Sequence, residues 1–308
     1  MSNDVLALRA TDVGEGHLDE HRGVWLSGPC VALEHDFEVV LPLDGDFVEV
    51  LEPMLRGFMC KNASDTGRGR YELHRVEGQH QPYELSFNGR RIASGAEGHH
   101  FTLVLSGHIN RSVIASSRSR YVLMHSACVR SSGVTVILPA DQECGKTTTT
   151  AGLLRRGYDY ITDEAVALDP ESGWVTPFPK TLSLDPGSWG LFPELRRQHQ
   201  RPWRHQWHVP AEHLGSRTLR EPVPAPTVIL FPRFVAGAST ELQSVSAAEA
   251  VHELCQMTFF FPEAPGRNLQ TLARVAQQAK SARLVIGSLD AATDIIGQLV
   301  DSNRKEEL

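Results

Sequence analysis

The stretch from Val134 to Leu168 constrains this chain more than any other part of its sequence. It begins with the apolar run VTVILP, enters a loop that ends in Gly145-Lys146-Thr147, and continues in a helical pattern. A second apolar run follows and ends in Thr162-Asp163-Glu164. The predicted order is therefore strand, glycine-lysine loop, helix and acidic strand end, which is typical of a nucleoside-triphosphate site.

The loop departs from the usual phosphate-loop pattern, G-x-x-x-x-G-K-[ST], at its first glycine. Ala140 stands at that position, and Glu143 would be unfavourable beside phosphate oxygens unless its carboxylate points outward. The alternative is a strand–turn–helix with a chance Gly-Lys-Thr. The flanking strand and the acidic partner favour a nucleotide site. Its candidate contacts are Ala140, Asp141, Gln142, Glu143, Cys144, Gly145, Lys146, Thr147 and Thr148.

The pair Asp163-Glu164 follows Lys146 by seventeen residues. A carboxylate at a strand end beside a phosphate loop can contact Mg²⁺ or accept the proton of an incoming hydroxyl. The alternative for an isolated Asp-Glu is a solvated turn. The spacing from the loop favours a functional pair.

These residues together resemble the catalytic core of the HPr kinase/phosphorylase family. The run LMHSACVRSSGVTVILPADQECGKTTTTAGLLRRGYDYITDEAVAL carries the resemblance, because it places His125 twenty-one residues before Lys146 and the acidic pair after the next helix. The resemblance covers residues 105–190 well and 225–300 loosely. Within the family, the chain looks most like HPr-kinase-related enzymes of peptide-modification and other biosynthetic clusters.

The resemblance implies ATP-dependent transfer of a phosphoryl group to a serine-type hydroxyl of a peptide, a protein or a small metabolite. Lys146 would hold the β- and γ-phosphates and Thr147 would hold Mg²⁺. Asp163 would accept the hydroxyl proton, with Glu164 at or near the metal. Glu164 is a mild departure, because the family usually has aspartate there.

Three further residues receive weaker assignments. His125 would lie beside Asp163 and tune its proton affinity, although a structural histidine is an equal alternative. Lys180 and Arg267 are candidates for countercharge to the transferring group, against the alternative that each is a paired or solvated surface residue. Because many relatives oligomerise, a homo-oligomer is a further expectation.

A second function class stays open. Ala140 and Glu143 weaken the phosphate loop, which favours a catalytically decayed protein that binds nucleotide or presents a substrate. The presence of Lys146, Thr147 and Asp163 favours the kinase.

The expected fold class is α/β, with an HPr-kinase/PEP-carboxykinase-like P-loop core around a mixed sheet. Residues 1–100 are expected to form a β-rich module and residues 101–308 the nucleotide-binding domain. Alternating runs predict strands between residues 24 and 50, including DFVEVL, and Asn88-Gly89 predicts a hairpin turn. The run Phe101–Ser116 predicts a helix, and two strands are expected around His125. A further strand is expected over Asp159–Leu168, and further helices over Ala247–Met257 and Leu269–Ala279.

Charge and composition exclude several partners. The net charge of −7 argues against nonspecific nucleic-acid binding, and no apolar run reaches the roughly 18 residues of a membrane span. Five scattered cysteines and the lack of a secretory signal pattern predict a cytoplasmic protein. The basic, aromatic segment Arg196–Pro210 is a candidate loop over the site, but its histidines His199, His205 and His208 lack a zinc-type spacing.

Overall fold

The computed structural model describes residues 14–60, 68–78, 80, 82–196 and 206–306. The chain divides into two compact units. Unit 1 contains residues up to Ser117 and the segment Asp185–Pro210, and unit 2 contains Arg118–Leu184 and Ala211–Leu308. This division differs from the expected boundary near residue 100, because the helix that begins at Gly98 belongs to unit 1 and the chain later returns to that unit.

Unit 1 is built on one mixed sheet. Its described strands and helices are β1 (His17–Asp19), β2 (Val24–Leu26), β3 (Cys30–Ala32), β4 (His35–Pro42), α1 (Phe47–Leu55), β5 (Gly69–Arg75), β6 (Tyr83–Phe87), β7 (Arg90–Gly95) and α2 (Gly98–Ser117). The strand order is β1-β2-β4-β5-β6-β7, with β3 paired to β4. Only β4 and β5 pair in parallel among these described strands, because α1 supplies the crossover that a parallel pair needs.

The prediction of a strand at DFVEVL is wrong, because the segment forms helix α1. Its buried residues recur at helical spacing and are Phe47, Val50, Leu51, Met54 and Leu55. The sequence did not show this spacing, because the β-branched valines favour a strand and Pro53 is unusual inside a helix. The hairpin at Asn88-Gly89 is confirmed, since both residues have positive φ, as the turn requires.

Unit 2 has a larger mixed sheet. Its described strands are β8 (Val122–Ser131), β9 (Val134–Pro139), β10 (Asp159–Thr162), β11 (Ala165–Leu168), β12 (Val175–Thr176), β13 (Leu182–Leu184), β15 (Val228–Phe234), β16 (Glu241–Ser244) and β17 (Lys280–Ile286). Strand β14 (Trp207–Val209) lies in the returning segment of unit 1. The helices of unit 2 are α3 (Lys146–Arg155), α4 (Ala247–Met257), α5 (Pro265–Gln278) and α6 (Leu289–Glu306).

The unit 2 sheet has the order β12-β11-β8-β9-β15-β17-β16, and β10 also pairs with β8. The central strands β9, β15 and β17 run parallel, while the remaining described pairs of this sheet are antiparallel. Every residue of β9 is buried, as expected for a strand covered on both faces. The α/β fold class expected from the sequence is confirmed at this level.

Helices cover the sheet of unit 2. Buried residues of α4 and α5, such as Leu254 and Leu272, join one apolar cluster with Ile137 and Ile229 of the central strands. Helix α3 packs against α6, where a side chain at Gly152 would meet Leu289 at 2.8 Å. Glycine at this position therefore permits the close approach of the two helices.

The sequence predicted two strands around His125, but β8 is continuous through it. The predicted strand Asp159–Leu168 is instead divided at Asp163-Glu164, and its pairing register shifts between Tyr160 and Thr162. Among the described residues, none of the helices combines the length and apolarity needed to cross a bilayer.

Candidate active site

The glycine-lysine loop joins β9 to α3. Gly145 is the N-cap of α3 with φ of 92°, and Glu143 also has a positive φ, of 62°. Such left-handed residues turn successive backbone N–H groups in the same direction, which is the geometry of anion-binding loops. No side chain caps the start of α3, so its first-turn N–H groups and its dipole favour a negatively charged ligand.

Glu143 does not carry its carboxylate into the loop. The residue is exposed, as are its neighbours Asp141 and Gln142. The sequence made Glu143 unfavourable only if its carboxylate pointed toward the phosphate oxygens. Because the residue is exposed, this objection does not apply.

Lys146 is the buried cation of the loop. Its Nζ donates hydrogen bonds to the carbonyl oxygens of Ala140 and Asp141, both at 2.7 Å, and the residue is only 6% exposed. Burial lowers the pKa of this ammonium group, and the nearby carboxylates oppose the shift. A phosphate ligand would therefore compete with two loop carbonyls for the same ammonium group.

Asp163 connects the acidic strand end to the first turn of α3. Its Oδ1 accepts a hydrogen bond from the hydroxyl of Tyr160 at 3.0 Å, and hydrogen bonding from the Thr147 hydroxyl is one of the effects that lower the pKa of its carboxyl group. The residue is 5% exposed. The structure thus brings together the loop residue and the carboxylate that the sequence separates by sixteen positions.

Lys180 lies against this carboxylate pair. Its Nζ is 3.3 Å from Oε2 of Glu164 and 3.9 Å from Oδ1 of Asp163, and it donates to Oγ of Ser183 at 3.0 Å. Its backbone carbonyl lies 2.5 Å from the Tyr160 hydroxyl. The structure thus brings Lys180 to Asp163 and Glu164, and its role as countercharge to a transferring group stays a prediction.

The surroundings of Asp163 raise the pKa of its carboxyl group above the ordinary 3.8. Burial raises the pKa of this carboxyl group, Lys180 opposes the increase, and Glu164 adds to it. Burial and the Asp163 charge also hold the pKa of Tyr160 well above its ordinary value of 10.0. Asp163 therefore holds a proton more readily than an exposed aspartate, which suits a general base.

His125 lies in β8, which pairs with β9 before the glycine-lysine loop and with β11 after the acidic pair. It pairs in register with Ala165 of β11, and its carbonyl accepts a hydrogen bond from the N–H of Ala140 at 3.4 Å. Burial lowers the pKa of His125, and the Lys146 ammonium lowers it further. The imidazole is therefore a neutral hydrogen-bonding group at neutral pH.

A cleft of about 160 Å³ lies within unit 2, and neither His125 nor Asp163 is among its lining residues. Leu123 and Phe259 form part of its lining, and the Phe259 ring lies 6.0 Å from the His125 ring. Arg118 and Arg267 lie on the same cleft.

The structure does not place Arg267 with the carboxylate pair. Its guanidinium donates to the carbonyl oxygens of Ser119 at 2.7 Å and Arg118 at 2.9 Å, with a longer contact to that of Tyr121 at 3.4 Å. These bonds fix the segment that leads into β8. They assign Arg267 a structural role where the sequence suggested countercharge.

The oxygen donors fit a hard divalent cation. Thr147 offers a hydroxyl and Glu164 a partly exposed carboxylate, which are the ligand types that Mg²⁺ uses together with phosphate oxygens. Within the described part of the chain, no group of three histidine, cysteine, aspartate or glutamate residues could hold a metal by itself. Two protein donors completed by a nucleotide are consistent with that finding.

Sequence reasoning missed Tyr160 and Ser183, because a strand pattern does not reveal that one hydroxyl will contact the Asp163 carboxylate and the other the Lys180 ammonium group. Residues 197–205, with His199 and His205, lie outside the described residues. His208 is buried in β14.

Comparisons with known proteins do not identify a family for this chain. A scan against models of protein families finds no match, and a search of curated proteins finds no significant relative. The function must therefore be argued from the site.

Proposed function

We propose that this protein is an ATP-dependent kinase with an HPr-kinase-like P-loop core. It transfers the γ-phosphoryl group to a serine-type hydroxyl of a peptide, a protein or a small metabolite. The observation that carries the proposal is the buried pair of Asp163 and Lys180, whose charged atoms lie 3.9 Å apart, together with the buried Lys146 at the start of the loop helix. A chance Gly-Lys-Thr turn would not need a buried carboxylate and a buried ammonium group at its first helical turn.

The phosphates would bind at the start of α3. The N–H groups of the first turn and the Lys146 ammonium would neutralise their charge, once Lys146 leaves the carbonyls of Ala140 and Asp141. Thr147 and Glu164 would hold Mg²⁺, which supplies charge neutralisation on the phosphate oxygens.

Asp163 would receive the proton of the acceptor hydroxyl. The acceptor oxygen forms a bond to the γ-phosphorus, the bond to the bridging oxygen breaks, and ADP leaves with that electron pair. The raised pKa of Asp163 supports this role, and the Lys180 ammonium limits the increase.

A second candidate is a catalytically decayed protein on the same fold, which binds nucleotide without turnover. The two bonds from Lys146 to loop carbonyls favour it, together with Ala140 at the first glycine position. Such a protein would have no need for an ionisable Asp163.

The test is Mg²⁺-dependent conversion of ATP to ADP, measured beside ATP binding for the wild type, Lys146→Ala and Asp163→Asn. The kinase predicts turnover that requires both residues, with ATP binding retained in Asp163→Asn. ATP binding without turnover, equal in the wild type and Asp163→Asn, would instead establish the decayed protein.

A further inference from the structure

The carboxyl ends of three parallel strands lie together along one edge of the unit 2 sheet. Strands β9, β15 and β17 are neighbours, and Phe234 pairs with Ile286 at the ends of β15 and β17. The glycine-lysine loop leaves the same edge, because it follows β9. Ligands of open α/β sheets bind outside the carboxyl ends of such strands.

Phe234 is the large apolar residue that this edge exposes. It is 55% exposed, and the adjoining Val235 is 36% exposed. The backbone there is held in place, since the N–H of Val235 donates to the carbonyl of Ile286 at 2.9 Å. A solvated phenylalanine held on rigid backbone is a ready surface for a flat ligand.

This surface is continuous with the phosphate loop. A methyl group placed on Gly145 would lie 3.6 Å from Cβ of Phe234 and 3.7 Å from Cδ1 of Ile286. Gly145 is the residue that begins α3, where the phosphates would bind. The exposed side chain of Phe234 therefore begins next to the residue at which the proposed phosphate site starts.

We propose that Phe234 is the stacking platform for the nucleobase of the bound nucleotide. The inference rests on the proposed function and extends it to the choice of donor. Stacking uses the π-face that every base has, and the adjoining side chains of Val235 and Ile286 are apolar. The subsite therefore holds adenine and guanine alike and discriminates little between ATP and GTP.

The experiment compares the binding of ATP, GTP and inorganic tripolyphosphate by titration calorimetry in the presence of Mg²⁺. Phe234→Ala should weaken binding of ATP and of GTP by about 5- to 50-fold and leave tripolyphosphate unchanged. Phe234→Trp should keep or improve nucleotide binding. The matched control is Trp174→Ala, which removes another exposed aromatic residue, 45% exposed, next to the edge strand β12.

Several outcomes would overturn the inference. Unchanged ATP binding in Phe234→Ala would do so, as would an equal loss of tripolyphosphate binding or an equal effect of Trp174→Ala. A preference between ATP and GTP above about tenfold would show that hydrogen bonds read the base. If the wild-type protein binds tripolyphosphate and ATP equally well, the base subsite is refuted, whereas the phosphate site is still supported. Wild-type protein that binds neither would remove the proposed function as well.

Discussion

Replacing Lys180 with methionine tests the ion pair at the centre of the candidate site. Lys180 and Asp163 are each 5% exposed, and the ammonium nitrogen lies 3.9 Å from the Asp163 carboxylate and 3.3 Å from that of Glu164. Methionine has a similar length and no charge. The substitution therefore leaves two neighbouring carboxylates without their buried partner.

The magnitude follows from these distances. With an effective dielectric constant of about 20, attraction at 3.9 Å is worth about 4 kcal/mol. The Glu164 contact contributes less than its distance suggests, because its side chain is 27% exposed and solvent screens it. Burying the lysine also has a desolvation cost that methionine avoids. We expect the free energy of unfolding to fall by about 3 kcal/mol at pH 8.

The loss should depend on pH with a defined sign. The pKa of Asp163 is raised above its ordinary 3.8, so the folded state binds the proton more tightly than the unfolded state. Stability therefore falls as pH increases through the folded-state pKa. Removing the Lys180 ammonium raises that pKa further, so the variant should lose more stability at pH 8 than at pH 5.

Urea unfolding followed by circular dichroism would measure the effect at both pH values. The set comprises the wild type, Lys180→Met, Asp163→Asn and the double variant, which form a thermodynamic cycle. The coupling between the two sites should be about 2 kcal/mol at pH 8 and smaller at pH 5. An equal loss at both pH values, with no coupling, would refute the electrostatic argument and leave a packing defect as the cause.

Two further substitutions separate function from stability. Asp163→Asn should abolish ATP turnover yet raise the melting temperature of the protein at pH 8 by roughly 2–4 °C, because it removes a buried charge and stabilises the fold by about 1 kcal/mol. Scanning calorimetry would show this, and a lower melting temperature would contradict the charge balance described for Asp163. Arg267→Met should reduce the free energy of unfolding by about 2 kcal/mol through the lost bonds to the Arg118 and Ser119 carbonyls, with the ATP dissociation constant unchanged. Weaker ATP binding in a folded Arg267→Met protein would restore the countercharge assignment.

Local chemistry made some elements predictable from sequence. Helix α4 matches its predicted bounds, Ala247–Met257, because Ser246 and Glu249 form a capping box at its start. Helix α5 begins at Pro265 and not at the predicted Leu269, although proline is common in the first turn of a helix and could have signalled the earlier start. The buried strand β9 and the loop after it were evident from their apolar run and glycine.

The remaining features depend on contacts between distant residues. Helix α1 follows from which face of its segment becomes buried, which a mixed pattern does not reveal. The sequence placed Lys180 near the site only through the family resemblance, whereas its partners Glu164 and Ser183 come from the folding of separate strands. Tyr160 gave no signal, because a tyrosine in a strand is usually a packing residue.

The order in which the chain visits its two units limits how they can be separated. Unit 1 is interrupted after Ser117 and resumes only at Asp185, so no single cut yields either unit whole. An isolated unit 1 would need Ser117 linked to Asp185, and an isolated unit 2 would need Leu184 linked to Ala211. On the ribosome, unit 1 lacks its last segment until Pro210 has been made, and by then Arg118–Leu184 of unit 2 has already been synthesised. The carboxylate pair and the phosphate loop are thus synthesised before unit 1 can be completed.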